Sequence, residues 1–337
     1  MHVLPYKRSD KTMSVHIQGI GWASPQARNL AELIKVIRHQ KNFESSPIVN
    51  RNDPRFRRAG RLSQFAWAAV QDAIADADKE WTAEEARRTA LIFLSTHGGI
   101  CHTVRFFEDI AKDGTAAGSP IYFPETVYNA CPSHIAANLG IDGMLTSLVG
   151  DSSAVGGALR IAEEWLDAGI CEQCLLVAAE ETHPLLQSAY DLFRFRQQYP
   201  GTSAFSDAAA AILVGPYPKG SIIHGHPGMV FRKGPRLLPS LRKLFEETAN
   251  GKNPDIIFTS ALGSILKTNE RAAVAQLWPT AELLHPKNEL GESFAASSLG
   301  HIVLGEALIR HGQVSSALIS LVGVYGQASA AFLSSNS

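Results

Sequence analysis

Residues 148–157 read LVGDSSAVGG. An apolar run ends at Gly150, Asp151, Ser152 and Ser153 follow, and helical spacing begins at once in AVGGALRIAEEWLDAG at 154–169. An apolar strand that turns sharply into a helix is where several enzyme families place a nucleophile. All three polar residues are also good helix N-caps, and capping alone would account for them.

Outward from this stretch the same alternation recurs. SVHIQGIGWASP at 14–25 reads as a strand, and NLAELIKVIRHQ at 29–40 has helical spacing after an Asn cap. RLSQFAWAAVQDAIADAD at 61–78 reads as a helix with Trp67, Val70 and Ile74 on one face, and TALIFLST at 89–96 as a short buried strand. CPSHIAANLG at 131–140 is a helix stopped at Gly140, and MLTSLVG at 144–150 is a strand. CLLVAAEE at 174–181 and AAAILVG at 209–215 are apolar enough to be buried on both faces. Short buried strands alternating with helices predict an α/β layered fold.

After Gly215 the chain becomes rich in Pro and Gly, and then the alternation resumes. SLRKLFEETANG at 240–251, NERAAVAQLWP at 269–279 and SFAASSLGHIVLGEALIRHG at 293–312 read as helices. DIIFTSA at 255–261, SALISLVG at 316–323 and SAAFLSS at 329–335 read as strands. The expected organisation is a flexible arm at 1–12, a first half at 13–215 and a shorter second half at 216–337.

With 31 basic and 32 acidic residues the formal net charge is −1, so neither nucleic acid nor an anionic membrane surface is expected as a partner. No apolar run approaches the ~18 residues of a membrane span. The first residues, MHVLPYKRSDKTM, lack the apolar stretch of a secretory signal, and a cytoplasmic protein is expected. Cys101, Cys131, Cys171 and Cys174 make no disulfide framework. The CxxC of Cys171 and Cys174 has no second pair to complete a zinc site, and His224 and His226 lack nearby ligand partners, so no metal or cofactor is expected.

Five segments, in order, resemble the β-ketoacyl-acyl carrier protein synthases of the thiolase superfamily. SPIYFPETVYN at 119–129 is similar to their Ser-Pro-x-x-x-Pro-x-x-x-x-Asn stretch, and SVHIQGIGWASP to their first strand. AFSDAAAAILV at 204–214 resembles their Gly-Asp-Gly-Ala strand, with Ser206 and Ala208 where glycines are usual. HPKNELGESFAASS at 285–298 resembles their Lys-x-x-x-Gly-His segment, and SLVGVYGQASAAFL at 320–333 their Gly-rich loop and last strand. The resemblance implies a five-layer αβαβα arrangement of two similar halves. It also implies a dimer through the first half, joined along the strand after the nucleophile helix. That strand is CLLVAAEE, read as an edge strand whose burial removes a pairing hazard and covers over ~2,000 Å².

The family's catalytic groups do not carry over. Its nucleophilic cysteine falls on Ser152 by a count without gaps, or on Ser153 if the following glycine is the anchor. Its first histidine falls near Ser260, its lysine on Lys287, and its second histidine on Glu292. A serine hydroxyl needs a hydrogen-bonded base where a thiol ionises unaided, and a carboxylate at 292 repels the enolate oxygen that imidazoles would stabilise. Lys287 and Glu292 also admit a structural reading, as a buried ion pair replacing the lost site. His97 and His134 read as core or loop residues, and His285 and His301 as candidates for a displaced base.

Three functions follow. The first resembles the chain-length factors of type II polyketide and polyene systems: a non-condensing subunit paired with a cysteine-bearing ketosynthase and served by an acyl carrier protein. The second is a serine-dependent acyltransferase or acyl hydrolase on the same fold. The third is a homodimer that binds acyl chains.

Overall fold

The computed structural model describes residues 14–27, 29–37, 56, 59–193, 204–230 and 234–336. The arm expected at 1–12 lies outside them. The first part runs β1 (Val15–Ala23), α1 (Leu30–Ile37), α2 (Arg61–Asp76), α3 (Ala83–Arg87), β2 (Thr89–Ser95), α4 (Ile100–Asp113), α5 (Ala130–Leu139), β3 (Leu145–Val149), α6 (Ala154–Asp167), β4 (Gln173–Glu180), α7 (Pro184–Leu192) and β5 (Ala208–Gly215). It continues with β6 (Ile222–Val230), α8 (Leu237–Ala249), β7 (Ile256–Phe258), α9 (Gly263–Leu277), β8 (Glu282–Leu284), α10 (Lys287–Leu290), α11 (Phe294–Arg310), β9 (Ser316–Val322) and β10 (Gln327–Ser334).

The strand order β3-β2-β4-β5-β1-β6-β10-β9-β7-β8 reads the same from both ends, once each half is numbered by its own strands. In each half the first and fourth-numbered strands pair antiparallel with the fifth, while the second pairs parallel with the third and fourth. The two half-sheets join at the starts of β1 and β6, where Val15 and His16 face Ile223 and Ile222 and the Ile17 N–H donates to the Ser221 carbonyl at 3.0 Å.

Helices α6 and α11 each touch strands of both half-sheets and fill the space between them. Helix α2 covers the outer face of β1, β4 and β5, and α8 covers the outer face of β6, β9 and β10. The result is the thiolase-like αβαβα stack. Every residue of helix α11 from Phe294 to Ile309 is buried, as a central layer requires, and most of them are apolar or small. Small residues let it pack close: a Cβ on Gly300 would fall 2.2 Å from the Trp22 ring.

One expectation fails on topology. The segment CLLVAAEE forms β4, which lies between β2 and β5 and is buried throughout. The edge of the first half-sheet is β3, whose residues are partly exposed. Both segments are short and apolar, so only pairing with neighbours distinguishes edge from centre. Strand β6 also went unread, because glycines and Pro227 break the pattern. Beyond its first residues β6 pairs on one side only, so the missing proline N–H costs no ladder bond there. Among the described residues no helix is long and apolar enough to cross a membrane.

Candidate functional site

The strand–turn–helix of residues 148–157 forms as read: β3 ends at Val149 and α6 starts at Ala154. In the second half, β8 is followed by the turn of α10 and by α11. The starts of the two central helices meet at the Lys287 side chain. Its Nζ donates to the Ser152 Oγ at 3.2 Å, to the Ser260 carbonyl at 3.0 Å and to Glu292 Oε1 at 3.0 Å. Glu292 Oε2 lies 2.9 Å from the same nitrogen. Lys287 is 5 % exposed and Glu292 1 %, so this ion pair has almost no water to screen it.

Glu292 is fixed from three sides. Its backbone bridges to Ala204 and Ser206, and its Oε1 also accepts from the Phe294 N–H at 2.6 Å and the Ser297 hydroxyl at 3.3 Å. Phe294 takes φ +44°, a region where a bulky residue is strained, and the Glu292 bond helps hold it there. The Ser152 hydroxyl donates to the Phe294 carbonyl at 3.4 Å. Its single donor is thus engaged by a carbonyl and one of its lone pairs by the Lys287 ammonium, and neither partner is a base.

The four positions drawn from the sequence converge here, but not all through their side chains. Ser260 offers its carbonyl, while its hydroxyl accepts from the Val322 N–H at 2.7 Å. Ser153 points its hydroxyl to Asp151 at 2.8 Å, away from Lys287, so the geometry selects Ser152 over Ser153 for the place beside the lysine. No cysteine is activated. Cys101 is half-exposed with its thiol pushed up to about 12 by burial and Glu181, and burial also raises Cys131, Cys171 and Cys174.

No imidazole hydrogen-bonds to Ser152, Lys287 or Glu292 among the described residues. His97 bonds Glu180 at 3.2 Å and the Tyr190 hydroxyl at 2.8 Å, with its ring against Phe294. His134 pairs with Glu125 at 2.6 Å. His285 bonds Thr259 and accepts from Arg271 at 3.1 Å. His301 is fully buried beside Phe258, and neither ring nitrogen has a hydrogen-bond partner among the described residues.

His285 and His301 are expected to weaken the fold in acid. Burial, with Lys287 and His285 nearby, holds His301 well below the usual imidazole range. Burial, with Arg271 and Lys267, lowers His285 to about 4. Both stay neutral in the native state while the unfolded chain protonates below about pH 6.5, so stability falls as pH falls through that point. Each such group contributes a slope of about 1.4 kcal/mol per pH unit. Replacing His301→Leu is expected to remove one of these slopes between pH 6 and 5, measured by denaturant unfolding. An unchanged slope would show that His301 protonates in the folded protein.

The family model described as beta-ketoacyl synthase, N-terminal domain, matches residues 40–214, more than half of the chain. No curated protein sequence matches. Among solved structures, the chain is similar to one described as a type II PKS acyl-carrier protein in complex with its ketosynthase bound to the hexaketide (AntDE:AntF). That match has 14 % identity and a TM-score of 0.81 over 97 % of this chain and 100 % of that one. It is also similar to the ishigamide ketosynthase/chain length factor, at 17 % identity and TM-score 0.78 over 96 % of this chain and 100 % of that one. A third is the ketosynthase ApeO in complex with its chain length factor ApeC from Xenorhabdus doucetiae, at 12 % identity and TM-score 0.76 over 98 % of this chain and 100 % of that one. Joined to the layered fold and to two central helix starts meeting at one pocket, the profile match over most of the first half shows that this chain belongs to the beta-ketoacyl synthase family.

Proposed function

We propose that the chain is the non-condensing, chain-length-factor-type partner of an active ketosynthase in fatty-acid, polyketide or polyene biosynthesis, acting in the cytoplasm with an acyl carrier protein. The observation that carries this reading is the buried Lys287–Glu292 pair with Ser152 as its third member. Condensation needs an ionised nucleophile and hydrogen-bond donors facing an enolate-like oxygen. This site offers a hydroxyl whose proton is held by a carbonyl, and a carboxylate that repels the oxygen.

The 3.2 Å approach of Lys287 to Ser152 favours a second reading, a serine–lysine acyl enzyme. Against it, Lys287 is ion-paired to Glu292 and has no free lone pair to take the serine proton. In the first reading residues 13–215 and 216–337 act as two thiolase-like halves, and the repeated strand order supports that division.

The partner surface moves from β4 to β3. That edge strand ends in Val149, 60 % exposed, and is preceded by Met144, 48 % exposed. Phe107, Ile121, Phe123 and Val127 add exposed apolar side chains on and after α4. An uncovered edge with apolar neighbours favours an obligate partner. The test is direct. The purified chain is expected to release no carbon dioxide from malonyl-carrier, and to co-purify with a co-expressed ketosynthase that retains its Cys-His-His set. Steady release that Ser152→Ala abolishes would overturn the reading, and so would a chain that gains no partner. Acylation of native Ser152 without decarboxylation would establish the serine enzyme instead.

A further inference from the structure

Asp151 is 3 % exposed and sits immediately before Ser152. Its Oδ1 accepts from the Ser153 N–H at 3.0 Å and the Ser153 hydroxyl at 2.8 Å. Its Oδ2 accepts from the Val324 N–H at 2.7 Å and the Tyr325 N–H at 3.4 Å. One carboxylate thus occupies three backbone N–H groups, drawn from the start of α6 and from the turn between β9 and β10. The approach depends on glycine: a Cβ on Gly323 would fall 2.3 Å from Oδ1 and 2.4 Å from Oδ2.

These donors converge on the residue that immediately precedes Ser152, at the start of the same helix. An acyl group attacked by the side chain at 152 develops an oxyanion, and the oxyanion is stabilised by N–H groups fixed within hydrogen-bond distance in a site that excludes water. Helix-start and loop amides of this kind suit that task, and here they are already satisfied by an internal anion. The carboxylate is tethered one residue away, so it competes at a far higher effective concentration than any free ligand.

We propose that Asp151 closes this pocket to acyl chemistry, by taking the backbone N–H groups that an acyl oxyanion at residue 152 would need. The assignment rests on the non-condensing reading and deepens it. The pocket lacks not only a nucleophile and imidazoles but also vacant oxyanion donors. Restoring the nucleophile alone therefore does not restore acyl transfer.

The experiment compares Ser152→Cys with the double variant Asp151→Ala/Ser152→Cys, each incubated with an acyl N-acetylcysteamine thioester. The cysteine thiolate attacks the carbonyl carbon and forms a new C–S bond. The oxyanion then collapses and expels the N-acetylcysteamine thiolate, which takes up from solvent the proton the cysteine gave. Intact mass spectrometry follows the acyl-enzyme.

The double variant is expected to acylate about 100-fold faster, the scale set by a single oxyanion donor. Equal rates in the two variants, with the native chain inert, would overturn the role of Asp151 and leave the non-condensing reading standing. Acylation of the native chain at Ser152 would overturn that reading itself.

If Asp151→Ala does not fold, Asp151→Asn takes its place, because it keeps the side-chain shape and removes the charge. Hydrogen exchange on the unaltered protein gives an independent measure. The Val324 and Tyr325 amides are expected to exchange slowly, and faster in Asp151→Asn. Exchange at the rate of an open turn in the unaltered protein would overturn the proposal.

Discussion

Leu176→Arg is expected to abolish folding, not to yield a folded monomer. Leu176 is fully buried on β4, paired with Ile92 on one side and Ile212 on the other. Its side chain belongs to the core between the half-sheets and the two central helices. The substitution forfeits about 1.5–3 kcal/mol of buried leucine and adds several kcal/mol for an unpaired charge. Those costs together approach the whole stability of a typical domain, about 5–15 kcal/mol. The measurement is soluble yield, circular dichroism and sedimentation of the variant beside Val149→Lys. Val149 is exposed on the edge strand, so its variant should fold and resist association, as charged edges do in natural sheets. A folded, monomeric Leu176→Arg protein would mean that β4 is not central.

That contrast shows what a sequence can and cannot disclose. Strands β2, β4 and β5 were legible because strands covered on both faces must be almost wholly apolar. Helix α6 and much of α11 were legible from spacing. Edge and centre were not, since TSLV in β3 and LLVA in β4 are alike until their neighbours are known. Strand β6 was hidden by the same glycines that let it approach α6: a Cβ on Gly225 would fall 2.7 Å from Leu159.

At the site, Ser152, Lys287 and Glu292 could be placed by segment order, because each acts through its side chain. Ser260 meets Lys287 through its carbonyl, which any residue at that position would supply. The positive φ of Phe294 and the donors around Asp151 could not be read at all. They are backbone features, and a backbone amide carries no sequence signature of its own.

The second large effect concerns the buried pair. Lys287→Met is expected to cost about 3–5 kcal/mol, because it leaves the Glu292 carboxylate buried without its counter-charge. The attraction itself is not the reason. Desolvating two charges offsets most of what they gain from each other, so the pair as a whole contributes little net stability. The double variant Lys287→Met/Glu292→Gln should therefore be more stable than Lys287→Met alone. Glutamine keeps a side-chain carbonyl for the Phe294 N–H, which otherwise would be a buried unsatisfied donor costing about 1–3 kcal/mol. It also keeps an acceptor for the Ser297 hydroxyl. Denaturant unfolding of the native chain and the two variants measures each step. A Lys287→Met protein as stable as the native chain would show that Glu292 takes up a proton at no cost, and the pair would lose its structural role. A double variant no better than the single would locate the loss in the Lys287 bonds to Ser152 and Ser260, and the carboxylate would then not be what makes the lysine necessary.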